Sequence, residues 1–224
     1  MRTLAIAVAL SSTLLATPAF ARDSALYIGG EFGAVSVNDM DADVGAVDNA
    51  ITIEHDHGYG GGIFAGYDFG AFRLEAEAAY KKANMDSYTT TIRLPLEGVV
   101  FPPTREGSGN SSALSFMVNG MLDIGDDDGI SGFVGAGAGM ARVGANRYRN
   151  FSNATPFLDG TDWKPAWQVF AGARHTLSNN VDVTLRYRFF NTGTADLIAF
   201  NGGESGVRFR SHSIMAGLTF NLGQ

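Results

Sequence analysis

The sequence predicts an all-β fold: an eight-stranded antiparallel up-and-down barrel that crosses a membrane. Three observations carry that prediction. Segments of about ten residues alternate apolar and polar side chains, which is the period of a strand. Their apolar faces are uncharged while the opposite faces carry the charges, the reverse of a soluble barrel with its apolar interior. Short and long connections alternate along the chain, as in transmembrane barrels with tight turns at one end and long loops at the other.

The chain has 224 residues, a net charge of −7 and no cysteine. It opens with Arg2, an apolar stretch from Leu4 to Ala16 and the small-residue pattern Ala19-Phe20-Ala21. Residues 1–21 therefore read as a cleaved export signal, too short in apolar length to span a bilayer. Residues 22–224 form the expected barrel domain, one unit more negative without Arg2. An acidic chain argues against a nucleic-acid partner. The exported compartment permits disulfides, yet none can form.

Eight segments are expected as strands: 25–35, 58–68, 71–82, 112–124, 130–142, 165–176, 181–191 and 207–222. The third is the clearest. Phe72, Leu74, Ala76, Ala78 and Tyr80 share one face, and Arg73, Glu75, Glu77 and Lys81 share the other. The second presents Tyr59, Ile63 and Tyr67 outward, and the fourth presents Leu114, Phe116, Val118 and Leu122. The fifth and sixth offer Val134 to Met140 and Trp167 to Ala173 at alternate positions. The seventh and eighth offer Val183 to Phe189 and Ile214 to Leu222 in the same way. None of these is charged, and a Lys or Arg on that face at mid-membrane costs about 2–4 kcal/mol. Tight turns are expected at 68–70, at the acidic run 125–129 and at Ser178-Asn179-Asn180. The stretches 36–57, 83–110, 143–164 and 192–206 are expected as long loops.

The inward set predicts a lumen filled by ion pairs: Glu31, Arg73, Glu75, Glu77, Lys81, Arg174, Arg186 and Arg188. In an eight-stranded cylinder the third and seventh strands face each other. Glu75 and Glu77 are thus expected to pair with Arg186, Arg188 and Arg174. Glycines on the inward face, such as Gly29, Gly66, Gly135, Gly137 and Gly172, are expected to make room for the long charged side chains. Aromatic side chains at the strand ends suit the two membrane interfaces. Tyr59, Tyr80, Trp167 and Phe189 belong to the outer one, and Tyr67, Phe69, Phe72 and Phe220 to the inner one.

These residues resemble a family. Met121-Leu122-Asp123-Ile124-Gly125 followed by Gly132-Phe133-Val134-Gly135-Ala136-Gly137-Ala138-Gly139 looks like the turn and fifth strand of OmpA-like outer-membrane β-barrel proteins of Gram-negative bacteria. Val183 to Phe189 is similar to their penultimate strand, and Ala216 to Leu222 to their closing strand. The resemblance implies location in the outer membrane, with a structural or surface role or a narrow gated pore. Expected partners are outer-membrane lipids and lipopolysaccharide, and the barrel-assembly machinery during biogenesis. Peptidoglycan binding is not implied, and no surface ligand can be named.

Other chemistry is thin. Glu54-His55-Asp56-His57 has metal-ligand types but reads more simply as a solvated loop. Asp39, Asp41 and Asp43 imitate a calcium loop, yet Val44 stands where that loop needs glycine. Ser211-His212-Ser213 resembles the histidine and serine of outer-membrane lipid A deacylases. His212 and Ser213 are the candidates if the chain is a lipid-modifying enzyme, although no carboxylate follows Glu204 to hold the base. A loop-mediated adhesin is the other alternative. No catalytic residue, cofactor or metal is expected.

Overall fold

The computed structural model describes residues 25–44, 47–90, 104–106, 108–125, 129–149, 158–199 and 204–222. The expected signal segment 1–21 lies outside them. Among the described residues eleven strands occur in the order β1 (Ala25–Val37), β2 (Met40–Val44), β3 (Val47–His55), β4 (Gly58–Asp68), β5 (Phe72–Thr90), β6 (Thr104–Glu106), β7 (Ser108–Ile124), β8 (Ile130–Arg149), β9 (Leu158–Ser178), β10 (Val181–Ala199) and β11 (Glu204–Asn221). Eight of them, β1, β4, β5, β7, β8, β9, β10 and β11, pair antiparallel with their neighbours, and β1 meets β11 to close the cylinder. These are the eight predicted segments. No sheet edge remains in the barrel wall, so every backbone group there finds a partner without water.

The register fixes the barrel's geometry. A ladder line followed from Arg210 runs through Asn191, Trp167, Ala138, Val118, Ala76, Ala65 and Ile28, and returns to β11 at Phe220. The line comes back ten residues from its start. That stagger corresponds to a strand tilt of about 40°.

The tight turns at 68–70 and 178–180 form as expected, and residues 126–128 of the acidic run lie outside the described residues. Asp68 accepts a hydrogen bond from the Gly70 amide at 2.8 Å. Gly70 has φ 102° and Gly125 has φ 108°, left-handed conformations that a side chain would strain. Asn180 donates to the Asn221 carbonyl at 3.2 Å.

The expected long loops are a correction. β5 runs on to Thr90, β8 to Arg149 and β10 to Ala199, while β7, β9 and β11 begin as early as Ser108, Leu158 and Glu204. Within 36–57, β2 and β3 form a hairpin whose second strand, β3, pairs with the extension of β5. The reason is physical. Apolar residues on the outward face stop where the wall leaves the membrane, but the backbone ladder and the inward alternation continue. Val143, Ala145, Val207 and Phe209 are fully buried in that upper region.

Candidate functional site

The site is the lumen. Alternation sends one face of every barrel strand inward, and all eight expected ion-pair residues are buried there. They fall into layers along the axis.

Nearest the tight turns, Arg73 grips Asp123 with two hydrogen bonds of 2.7 Å, from Nε to Oδ2 and from Nη2 to Oδ1. Arg174 lies at the same level. Its Nη1 is 3.8 Å from Asp68 and its Nη2 is 4.0 Å from Asp123, while Nε donates to Ser131 at 3.3 Å. Its ion pairs include Asp68 and Asp123 and neither Glu75 nor Glu77, the partners the sequence predicts. Arg174 sits opposite Thr184 on β10, two residues closer to the turns than the position opposite Arg186. That offset, invisible without register, decides its partners.

The central layer spans the lumen. Arg188 on β10 meets Glu31 on β1 at 2.6 Å and Glu77 on β5 at 3.0 Å. Arg186 reaches Glu31 and Glu75 at 3.4 Å each, and Glu77 at 3.9 Å. Asn119 donates to Glu75 at 3.0 Å and to Glu77 at 2.9 Å. Gln168 donates to Glu77 at 3.1 Å and to Asn119 at 2.8 Å. Charges shielded from water in this way require such pairing, because unpaired each carries a desolvation cost of several kcal/mol.

Asn119 and Gln168 did not figure in the sequence reading, although their parity on strands four and six sends them inward. Six inward aromatics were also missed, Phe190 and Phe209 toward the hairpin end and four lower down. Phe64 stands opposite Gly29, Tyr27 opposite Gly66, Phe170 opposite Gly135 and Phe133 opposite Gly172. A Cβ on any of these glycines would run into the facing ring. The glycines thus make bays for neighbouring rings rather than for long charged side chains. The rings in turn face the cations. The Arg186 guanidinium lies 4.7 Å from the Phe170 centroid, 5.5 Å from Phe133 and 5.6 Å from Phe64. Such cation–π contacts are worth more where water is excluded.

Lys81 departs from the expected network. It is 1% exposed, and no described carboxylate comes within ion-pair distance. Its Nζ rests 4.1 Å from the Phe190 ring centroid. Above it the lumen turns apolar, with Val35, Ala113, Val143, Phe190, Val207 and Phe209 packed in one cluster that also takes in Ile53 from β3. The enclosed side is therefore charged in its lower and middle layers and hydrophobic toward the end that carries the long hairpins.

The outward face is apolar, with Ile63 70% and Val118 64% exposed. Tyr59, Tyr80, Trp167 and Phe189 form an outward band toward the hairpin end, with Trp167 and Phe189 5.5 Å apart. Tyr67, Phe69, Phe72 and Phe220 lie toward the tight turns, with Tyr67 and Phe69 4.6 Å apart.

The remaining candidates separate. Ser213 is buried in the lumen, whereas His212 faces outward and bonds through Nδ1 to the Tyr187 hydroxyl at 2.7 Å. Adjacent strand residues point to opposite sides of the wall, so this imidazole cannot take a proton from that serine. His55 turns to the Ser111 hydroxyl at 2.8 Å, and burial pushes its pKa down to about 4. Glu54 accepts a hydrogen bond from Ser87 at 2.8 Å, and His57 is exposed. The four residues of that run do not converge.

A family model described as the outer membrane protein beta-barrel domain matches residues 7–220. No curated protein matches the chain by sequence. Among solved structures, the outer membrane protein OprG from Pseudomonas aeruginosa is similar at 15% identity and a TM-score of 0.59, over 90% of this chain and 97% of that one. Neisserial surface protein A is similar at 15% identity and a TM-score of 0.49, over 87% of this chain and 96% of that one.

Proposed function

The chain belongs to the outer membrane protein β-barrel family and resides in the outer membrane of a Gram-negative cell, and from that premise we propose that it is a plugged wall and surface protein. The observation that supports this most is the central layer. Arg186 and Arg188 on one wall reach Glu31, Glu75 and Glu77 on the facing walls, and the apolar cluster lies above them. A lumen closed twice over, once by ion pairs and once by hydrocarbon, does not pass hydrated solutes. Its immediate partners are outer-membrane lipids and lipopolysaccharide around the wall, and the assembly machinery that inserts it. The two aromatic bands serve as its interfacial anchors. The alternative of a lipid-modifying enzyme is disfavoured by the opposite orientations of His212 and Ser213.

Conductance of the purified chain in planar bilayers tests the reading. The expected record shows no steady open channel, and large stable steps overturn the plug. Phospholipase and deacylase assays with His212→Ala as control test the enzyme alternative, and activity lost in that variant would establish it. Surface recognition is favoured as a second role by the hairpins β8–β9 and β10–β11, whose strands continue well past the outer aromatic band.

A further inference from the structure

The outward face carries a second, separate pattern at the hairpin end. Arg142 and Arg210 are exposed and Lys82 is half-exposed, all three on outward positions of β8, β11 and β5. The arginines of the lumen have carboxylate partners. These outward cations have none among the described residues. Arg142 donates instead to the Thr161 hydroxyl at 3.0 and 3.3 Å. Arg210 donates from Nε to Asn191 at 3.1 Å, and Arg208, two residues farther out, donates to Thr194 at 3.2 Å. Each guanidinium is thus held flat against the neighbouring strand by a neutral acceptor. The position is fixed while the charge stays available.

The three share one height. The ten-residue stagger spread over eight strands amounts to about 1.25 residues per strand. From Arg210 the ladder line reaches Ala138 on β8, and three strands of stagger raise the level by about four residues, to Arg142. On β5 the line reaches Ala76, and five strands raise it by about six residues, to Lys82. The same correction places Tyr59, Tyr80, Trp167, His212 and Phe189 between about one and three residues below this level. Below them the apolar wall extends roughly 25 Å to Leu222 and Leu177, the height of a membrane belt.

Three cations at one level, with no ion-pair partner among the described residues and directly above an aromatic band, are placed where lipid headgroups begin. Guanidinium forks match phosphate oxygens, and basic side chains at that depth attract anionic lipid. We propose that Lys82, Arg142 and Arg210 bind the phosphate groups of the outer-leaflet lipid, lipopolysaccharide, and thereby set the height of the barrel in the membrane. The proposal rests on the partner reading above and names the residues that carry it. Among the described acidic residues near this rim, Asp39, Asp56 and Asp86 are exposed, Asp162 is half-buried and pairs with Lys164 at 2.9 Å, and none forms an ion pair with the three cations.

Native mass spectrometry of the detergent-solubilised full chain tests this, with diphosphoryl lipid A, fully dephosphorylated lipid A and inorganic phosphate as probes. Wild-type protein is expected to prefer the diphosphoryl form by about tenfold or more. The Lys82→Gln, Arg142→Gln, Arg210→Gln triple variant is expected to lose that preference and keep its residual affinity for the dephosphorylated form. Heat-modifiable gel migration checks that it is folded, and the wild-type comparison stands even if the triple variant is not. Equal binding of both lipids by wild-type protein overturns the proposal, as does an unchanged preference in the folded variant. Displacement of lipid A by an equal concentration of inorganic phosphate would assign the three cations to a free anion instead. Conductance is unaffected by these outward substitutions, so failure here and failure of the plugged lumen are read separately.

Discussion

Arg188→Met removes the most connected cation of the lumen. Its guanidinium lies in ion-pair contact with Glu31 at 2.6 Å and Glu77 at 3.0 Å, and its Nη2 donates a hydrogen bond to Glu77 at 3.1 Å. Glu77 would keep Asn119, Gln168 and a distant Arg186, but Glu31 would keep only Arg186 at 3.4 Å among its described partners. The central layer holds three carboxylates, two guanidiniums and the nearby Lys81, so it is close to neutral as it stands. The variant leaves one buried negative charge without compensation. Stranding such a charge costs about 3–5 kcal/mol. Urea unfolding in lipid vesicles, followed by the fluorescence of Trp163 and Trp167, measures the loss at constant slope. Adding Glu31→Gln removes the stranded charge, and the double variant should recover about 1–3 kcal/mol relative to the sum of the single variants. A loss under about 1 kcal/mol, or strict additivity, would refute the view that these ions are coupled and shielded from water.

Gly137→Ala pushes a methyl group into the Asn119 carboxamide, so the hydrogen bonds from Asn119 to Glu75 and Glu77 should be lost. We expect about 1–3 kcal/mol less stability in the same assay, whereas Gly129→Ala, with open space around it but φ 115°, should show only backbone strain. His55 has a pKa near 4, below its ordinary 6.5 because burial disfavours the charged ring. The unfolded or undocked hairpin therefore binds the proton more readily. Docking of β3 is at full strength above pH 6.5 and weakens as pH falls from 6.5 toward 4. Proteolytic nicking of the β2–β3 hairpin should rise over that window, and His55→Gln should flatten the profile. Trp167 faces lipid in the outer band, so brominated lipids should quench its emission in a Trp163→Phe background. Absence of quenching would place that face in water.

The parity of the chain determined by itself which side of the wall each residue faces. A strand has a strict two-residue period, so one clear segment such as 71–82, with glutamates alternating against alanines, orients the whole face. Membrane burial then forbids charge on the other side. Strand count, outward surface and the inward placement of Glu75, Glu77, Arg186 and Arg188 follow from that rule alone. Height along the axis was not legible. It depends on register and on a stagger of ten residues that closes only when β1 meets β11. For that reason Arg174 was assigned the wrong carboxylates, Lys81 was given an ion pair in place of the Phe190 ring, and the glycines were matched with charges rather than with Phe64, Tyr27, Phe170 and Phe133. The cationic level formed by Lys82, Arg142 and Arg210 has the same origin. The three lie far apart in the sequence, and only a tilted, closed ladder brings them to one plane.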